Sequence, residues 1–177
     1  MSDYKFVDRP DLNRMTKSAG RYNISEDSRA RSKVFLDFLF SNREMIKAYD
    51  RFLDQYDLSE SRFIILMFLL QAPNKTLAPS EIVQKLGATK ATVSKMLKVM
   101  ENKEWVEKTP STIDKRSVAI KLTKTGEKLI NQFYPQNFKA VGQIMSELDE
   151  SDLQSLTKII TKINKGIQKL SEEMENN

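Results

Sequence analysis

LAPSEIVQKLGATKATVSKMLKVMENKEWVEKTPSTIDKRSVAIKLTKT, residues Leu77 to Thr125, decides the fold. Pro79 suits the first turn of a helix, where a missing N–H is harmless. Ile82, Val83 and Leu86 form one face of that helix, and Gly87 suits the left-handed residue after its end. Thr89 can cap a second helix that turns Val93, Met96, Leu97 and Met100 inward. Trp105 to Thr109 and Ser117 to Leu122 read as the strands of a hairpin, with Pro110 to Arg116 as its loop. A helix–turn–helix followed by a hairpin with a basic tip is the equipment of a duplex-DNA reader.

Outward from this segment the chain reads as helical. Ser28 to Tyr56 repeats Phe35, Phe38, Leu39, Ile46, Tyr49 and Leu53 on one face, and Asp57-Leu58 breaks it. Ser59 can cap a helix that runs to about Gln71 and is apolar on nearly every side, ended by Ala72-Pro73-Asn74. Thr123 can cap a further helix through Leu129, Ile130 and Phe133, which Pro135 should kink or interrupt. After a turn near Leu148, Asp149 caps a last helix with a stripe from Leu153 through Ile163 to Leu170. Such a stripe is too long for a lone surface helix to leave wet. The expected fold is mainly α: a winged helix-turn-helix lobe with long N- and C-terminal dimerisation helices. The expected organisation is an arm at 1–27, a dimerisation helix at 28–57, the DNA-binding lobe at 58–126 and dimerisation helices at 127–172. A two-fold dimer would set two recognition helices about 34 Å apart, one turn of DNA.

Composition removes alternatives. The 177 residues contain no Cys and no His, so disulfides, thiolate chemistry, the usual general base and the usual transition-metal ligands are absent. No cofactor and no enzymatic activity are expected. The longest apolar run, Phe63 to Leu70, is eight residues, against about 20 for a bilayer span. No secretory signal opens the chain, so the reading is a cytoplasmic protein without a membrane partner. Net charge is +5, yet between Thr89 and Lys121 eight Lys or Arg face four acidic residues. The positive charge is concentrated where the DNA would lie.

The candidate DNA contacts are Thr89, Lys90, Thr92, Ser94, Lys95 and Lys98 on the second helix. Lys108, Asp114, Lys115 and Arg116 belong to the hairpin and its loop. Hydroxyls permit close approach to bases or phosphates, lysines release counterions, and a loop-tip Arg suits the minor groove. A solvated Thr/Ser/Lys face is the plain alternative for the helix taken alone; the adjacent basic hairpin is what makes the combination specific.

The segment resembles the MarR family of bacterial winged-helix regulators. The match runs through Leu77, Ile82, Leu86-Gly87, Thr92-Val93-Ser94, Leu97, Glu101-Asn102-Lys103 and Val106. It continues through Asp114-Lys115-Arg116-Ser117 and Leu122-Thr123-Lys124-Thr125-Gly126. The resemblance implies a homodimer on a palindromic operator, often a repressor released by a small ligand. It places Arg116 in the minor groove and makes Asp114 an orienting group. Two departures stand out: Glu104-Trp105 occupies the place of the family's glycine before the first wing strand, and Lys108 that of its usual Arg. A small aromatic effector would suit Tyr49, Phe52, Tyr56, Arg62 and Phe63, although the first reading of these residues is core. A protein-interaction module that keeps the fold without binding an operator is the competing reading.

Overall fold

The computed structural model describes residues 22, 24–110 and 118–176, and the chain divides into two compact units at Arg51/Phe52. The first unit is the body of helix α1, Glu26–Asp54, which continues into the second unit at its C-terminal end. Its surface is laced by Arg31–Asp27, Lys33–Asp37 and Lys47–Glu44 pairs at helical spacing. Hydrogen bonding to Asp27 and its charge raise the Arg31 pKa. Val34, Phe35, Phe38 and Met45 on the same helix are exposed.

The second unit holds α2 (Glu60–Gln71), β1 (Thr76–Leu77), α3 (Pro79–Leu86), α4 (Lys90–Asn102), β2 (Val106–Pro110), β3 (Val118–Leu122), α5 (Lys124–Ile144) and α6 (Glu150–Glu175). The anticipated caps form. Ser59, Thr89, Thr123 and Asp149 each accept the N–H three residues on, from Arg62, Thr92, Gly126 and Asp152. Gly87 takes φ 63° and ψ 27°, stopping α3 and turning the chain into α4. At the other end of α3, the Glu81 carboxylate accepts the Ala78 N–H at 2.7 Å, which supplies the cap that alanine lacks.

Two elements differ from the sequence expectation. The hairpin is part of a three-stranded antiparallel sheet in the order β1-β3-β2, with Thr76 opposite Lys121 and Leu77 opposite Ile120. Two residues are too few to show strand periodicity. Helix α5 also runs without interruption across Pro135. Asn131, whose carbonyl loses its donor there, is exposed, as is Pro135 itself, so water can satisfy that group.

The core lies under α2. Ile65, Leu66 and Leu69 are completely buried, as are Ile82 of α3, Met100 of α4 and Phe133 of α5, and α2 packs against both α3 and α5. No polar side chain is buried among the described residues. Position 126 ties the sheet to α5: a Cβ there would stand 2.2 Å from the Trp105 carbonyl oxygen, so only glycine fits. That same carbonyl accepts the Thr123 N–H at 3.1 Å, and the Thr123 hydroxyl donates to the Glu104 carbonyl at 2.5 Å. The start of the hairpin is thereby pinned against the start of α5.

Candidate nucleic-acid interface

Helix α4 presents one face to the core and the other to solvent. Val93, Leu97 and Met100 are buried, at spacings of four and three. Lys90, Thr92, Ser94, Lys95 and Lys98 are all exposed. Lys90, Lys95 and Lys98 make no ion pair among the described residues. Helix propensity favours this segment, since Lys, Ala, Met and Leu lose little on entering a helix.

The other described cations of the segment are held by acids. Lys108 of β2 bonds Glu101 of α4 at 2.7 Å, Lys121 meets Glu107 across the hairpin at 3.4 Å, and Lys103 meets Asp57 at 3.0 Å. The Lys103 ammonium also stands 5.3 Å above the Trp105 ring centroid. The charge surplus read from the sequence therefore resolves, among the described residues, into three unpaired lysines on one helix. Lys108 is brought to the same side as α4, but as the partner of Glu101.

The hydroxyls also sort themselves. Thr89 accepts the Thr92 N–H at 3.2 Å, and the two hydroxyl oxygens lie 2.9 Å apart. Both threonines are thus engaged in the cap, while Ser94 lines the space between α4 and the hairpin. That space is a groove of about 780 Å³ floored by Val83, Val93, Leu97 and Ile120. Sequence reasoning did not find the groove, because its floor residues are indistinguishable from core in a one-dimensional pattern. Asp114, Lys115 and Arg116 lie outside the described residues.

At the entry to the hairpin, Glu104 adopts φ 58°. This is the left-handed conformation that glycine enters freely and other residues enter at a cost of roughly 1–2 kcal/mol. Trp105 follows, only 7% exposed, and anchors β2 in the core.

Of the residues considered for an aromatic effector, Phe52, Tyr56 and Phe63 converge on Phe133. Their ring centroids lie 5.6, 5.1 and 4.9 Å from it, tilted or edge-on. Arg62 is half-buried and its Nε donates to the Ser59 hydroxyl at 3.1 Å. Tyr49 belongs to the first unit. The rings pack on one another, as core aromatics do.

Among the described residues no group of acidic side chains is arranged to hold a metal ion, and no helix is long and apolar enough to cross a membrane.

A helix–glycine–helix unit backed by a small antiparallel sheet, with long helices after it, is a winged helix-turn-helix. Comparison with known proteins agrees. Residues 47–133 match the family described as transcriptional regulator SarA/Rot. The HTH-type transcriptional repressor YetL of Bacillus subtilis is 28% identical over 152 residues, covering 85% of this chain and 89% of that protein. The MarR family regulator Sco3205 of Streptomyces coelicolor, solved with DNA, superposes with a TM-score of 0.65 at 22% identity, over 76% of this chain and 86% of that one. The S. aureus MepR–DNA complex gives 0.59 at 25% identity, over 73% and 93%. The chain thus has the winged-helix fold and is similar to transcriptional regulators of the SarA/Rot and MarR kind.

Proposed function

We propose that this protein is a sequence-specific duplex-DNA-binding repressor that acts as a homodimer on a palindromic operator. The observation that carries the reading is the exposed, unpaired row Lys90, Lys95 and Lys98 on the second helix of a helix-turn-helix. In this reading α4 enters the major groove with its N-terminal turns foremost. Each lysine that meets a phosphate releases a counterion and steepens the dependence on salt. Thr89 and Thr92 shape the helix start, where N–H groups favour a phosphate. Ser94 faces the hairpin side, Arg116 of the loop is proposed for the minor groove with Asp114 orienting basic groups nearby, and Lys115 adds positive charge beside it. Lys108 is aimed at phosphate but is held back by Glu101, so that it contacts the backbone fully only when that pair is broken.

Dimerisation is supported by α6. Leu153, Ile159, Ile160, Ile163, Ile167 and Leu170 are each more than a third exposed, and no residue of that helix is buried. On α5, Phe138, Val141 and Ile144 are exposed as well. At about 25 cal/mol per Å² of apolar surface, a second copy covering these faces gains far more than water does.

Release by a small aromatic acid belongs to the same proposal. Its support is the half-buried setting of Phe52, Tyr56, Arg62 and Phe63, which combines ring edges with one cation.

The test is electrophoretic mobility shift on genomic fragments, run with sedimentation of the free protein. The reading requires specific retardation at low salt and a two-chain species. A single chain with no preferred fragment refutes it.

A further inference from the structure

Helix α4 offers the major groove of DNA a restricted chemical vocabulary. Opposite the buried Val93, Leu97 and Met100, the helical period stacks Ala91, Lys95 and Val99 in one outward line. Val99 is 39% exposed, although valine is a weak helix former that gains little by standing in water. Lys95 and Lys98, beside it, carry unpaired ammonium groups. The Thr92 hydroxyl is engaged with Thr89, and the acid that ends the run, Glu101, is engaged with Lys108. From Lys90 to Met100 there is no carboxylate and no amide side chain.

Base edges in the major groove ask for matching groups. Adenine is read by the amide of Asn or Gln, and cytosine by a carboxylate that accepts from its amino group. Guanine presents two acceptors suited to Lys, and thymine presents a methyl suited to apolar contact. A line of methyl, ammonium and isopropyl groups satisfies only the last two.

Building on the DNA-binding reading above, we infer that α4 specifies its operator by thymine methyl groups, which Ala91 and Val99 contact, on either side of a guanine that Lys95 contacts. Along the helix axis, the eight residue steps from Ala91 to Val99 span about 12 Å. That is the reach of three to four base steps at about 3.4 Å each. The 5-methyl group lies in the major groove alone, so contacts made in the minor groove do not sense it.

The experiment uses the full chain and the duplex it enriches from a random-sequence pool. Thymines of each half-site are replaced one at a time by deoxyuridine, which removes the methyl and nothing else. Affinity should fall about fourfold for each contacted methyl, as burial of one methylene-sized group implies. Val99→Ala, which raises helix propensity and so keeps the fold, should bind the parent duplex more weakly and lose sensitivity at one position. Retention of that sensitivity, or equal binding of parent and deoxyuridine duplexes by the wild type, overturns the inference while leaving DNA binding intact. Failure to enrich any sequence removes the DNA reading itself, and the inference with it.

Discussion

Glu101→Gln should tighten DNA binding. In the free protein the Glu101 carboxylate holds the Lys108 ammonium at 2.7 Å, bridging α4 and β2 on the side proposed to face the duplex. The pair is substantially exposed, with side chains 36% and 55% accessible. Its loss should therefore cost the fold no more than about 1 kcal/mol. The gain comes from the polyanion. Glutamine removes one negative charge from the interface and leaves Lys108 free to displace a counterion. One added phosphate contact steepens the plot of log K against log salt by about 0.9 per protomer. At about 0.15 M salt that corresponds to roughly fivefold tighter binding per protomer. Fluorescence anisotropy of a labelled operator duplex, titrated across a range of salt, measures both quantities at once. An unchanged slope, or weaker binding with the fold intact, would show that Lys108 does not face the backbone and that the pair is purely structural.

Other expected outcomes are local. Gly126→Ala drives a methyl into the Trp105 carbonyl oxygen and should lower stability by about 2–3 kcal/mol in chemical denaturation. A melt no different from wild type would contradict the close approach. Glu104→Gly relieves the positive φ and should stabilise by roughly 0.5–1 kcal/mol, since glycine's extra chain entropy offsets part of the relief. A lower melting temperature would count against this. Ile163→Glu, placed within the apolar stripe of α6, should convert the proposed dimer to monomer in sedimentation. Persistence of the dimer would move the interface elsewhere.

The sequence was most legible where one residue acts on its own backbone. Ser59, Thr89, Thr123 and Asp149 announce helix starts because a short oxygen-bearing side chain satisfies an N–H only a few residues away. Gly87 announces a left-handed turn for an equally local reason. Legibility falls where the cause is distant. The two residues of β1 carry no pattern of their own and become a strand only by meeting Lys121 and Ile120. The need for glycine at 126 comes from a carbonyl at 105 that no local reading of α5 reveals. Pro135 breaks a rule of helix interiors without breaking the helix, because its surroundings are exposed.

The same division holds for the site. The outward lysines of α4 follow from helical period alone. That Lys108, Lys121 and Lys103 are neutralised follows from pairings across elements, with Glu101, Glu107 and Asp57, that only the fold creates. The expected glycine before β2 is replaced by Glu104, and the backbone keeps the left-handed turn regardless. The motif is therefore conformational before it is chemical. Packing of Phe52, Tyr56 and Phe63 on Phe133, all within the second unit, likewise emerges only when residues 52–56 meet α2 and α5.

The most direct measurement is the salt dependence of operator binding by wild-type protein and by the double variant Lys90→Gln, Lys98→Gln. With four phosphate-facing charges removed from a dimer, the slope of log K against log salt should become shallower by about 3.6. Parallel lines for the two proteins would mean that α4 does not lie against the DNA.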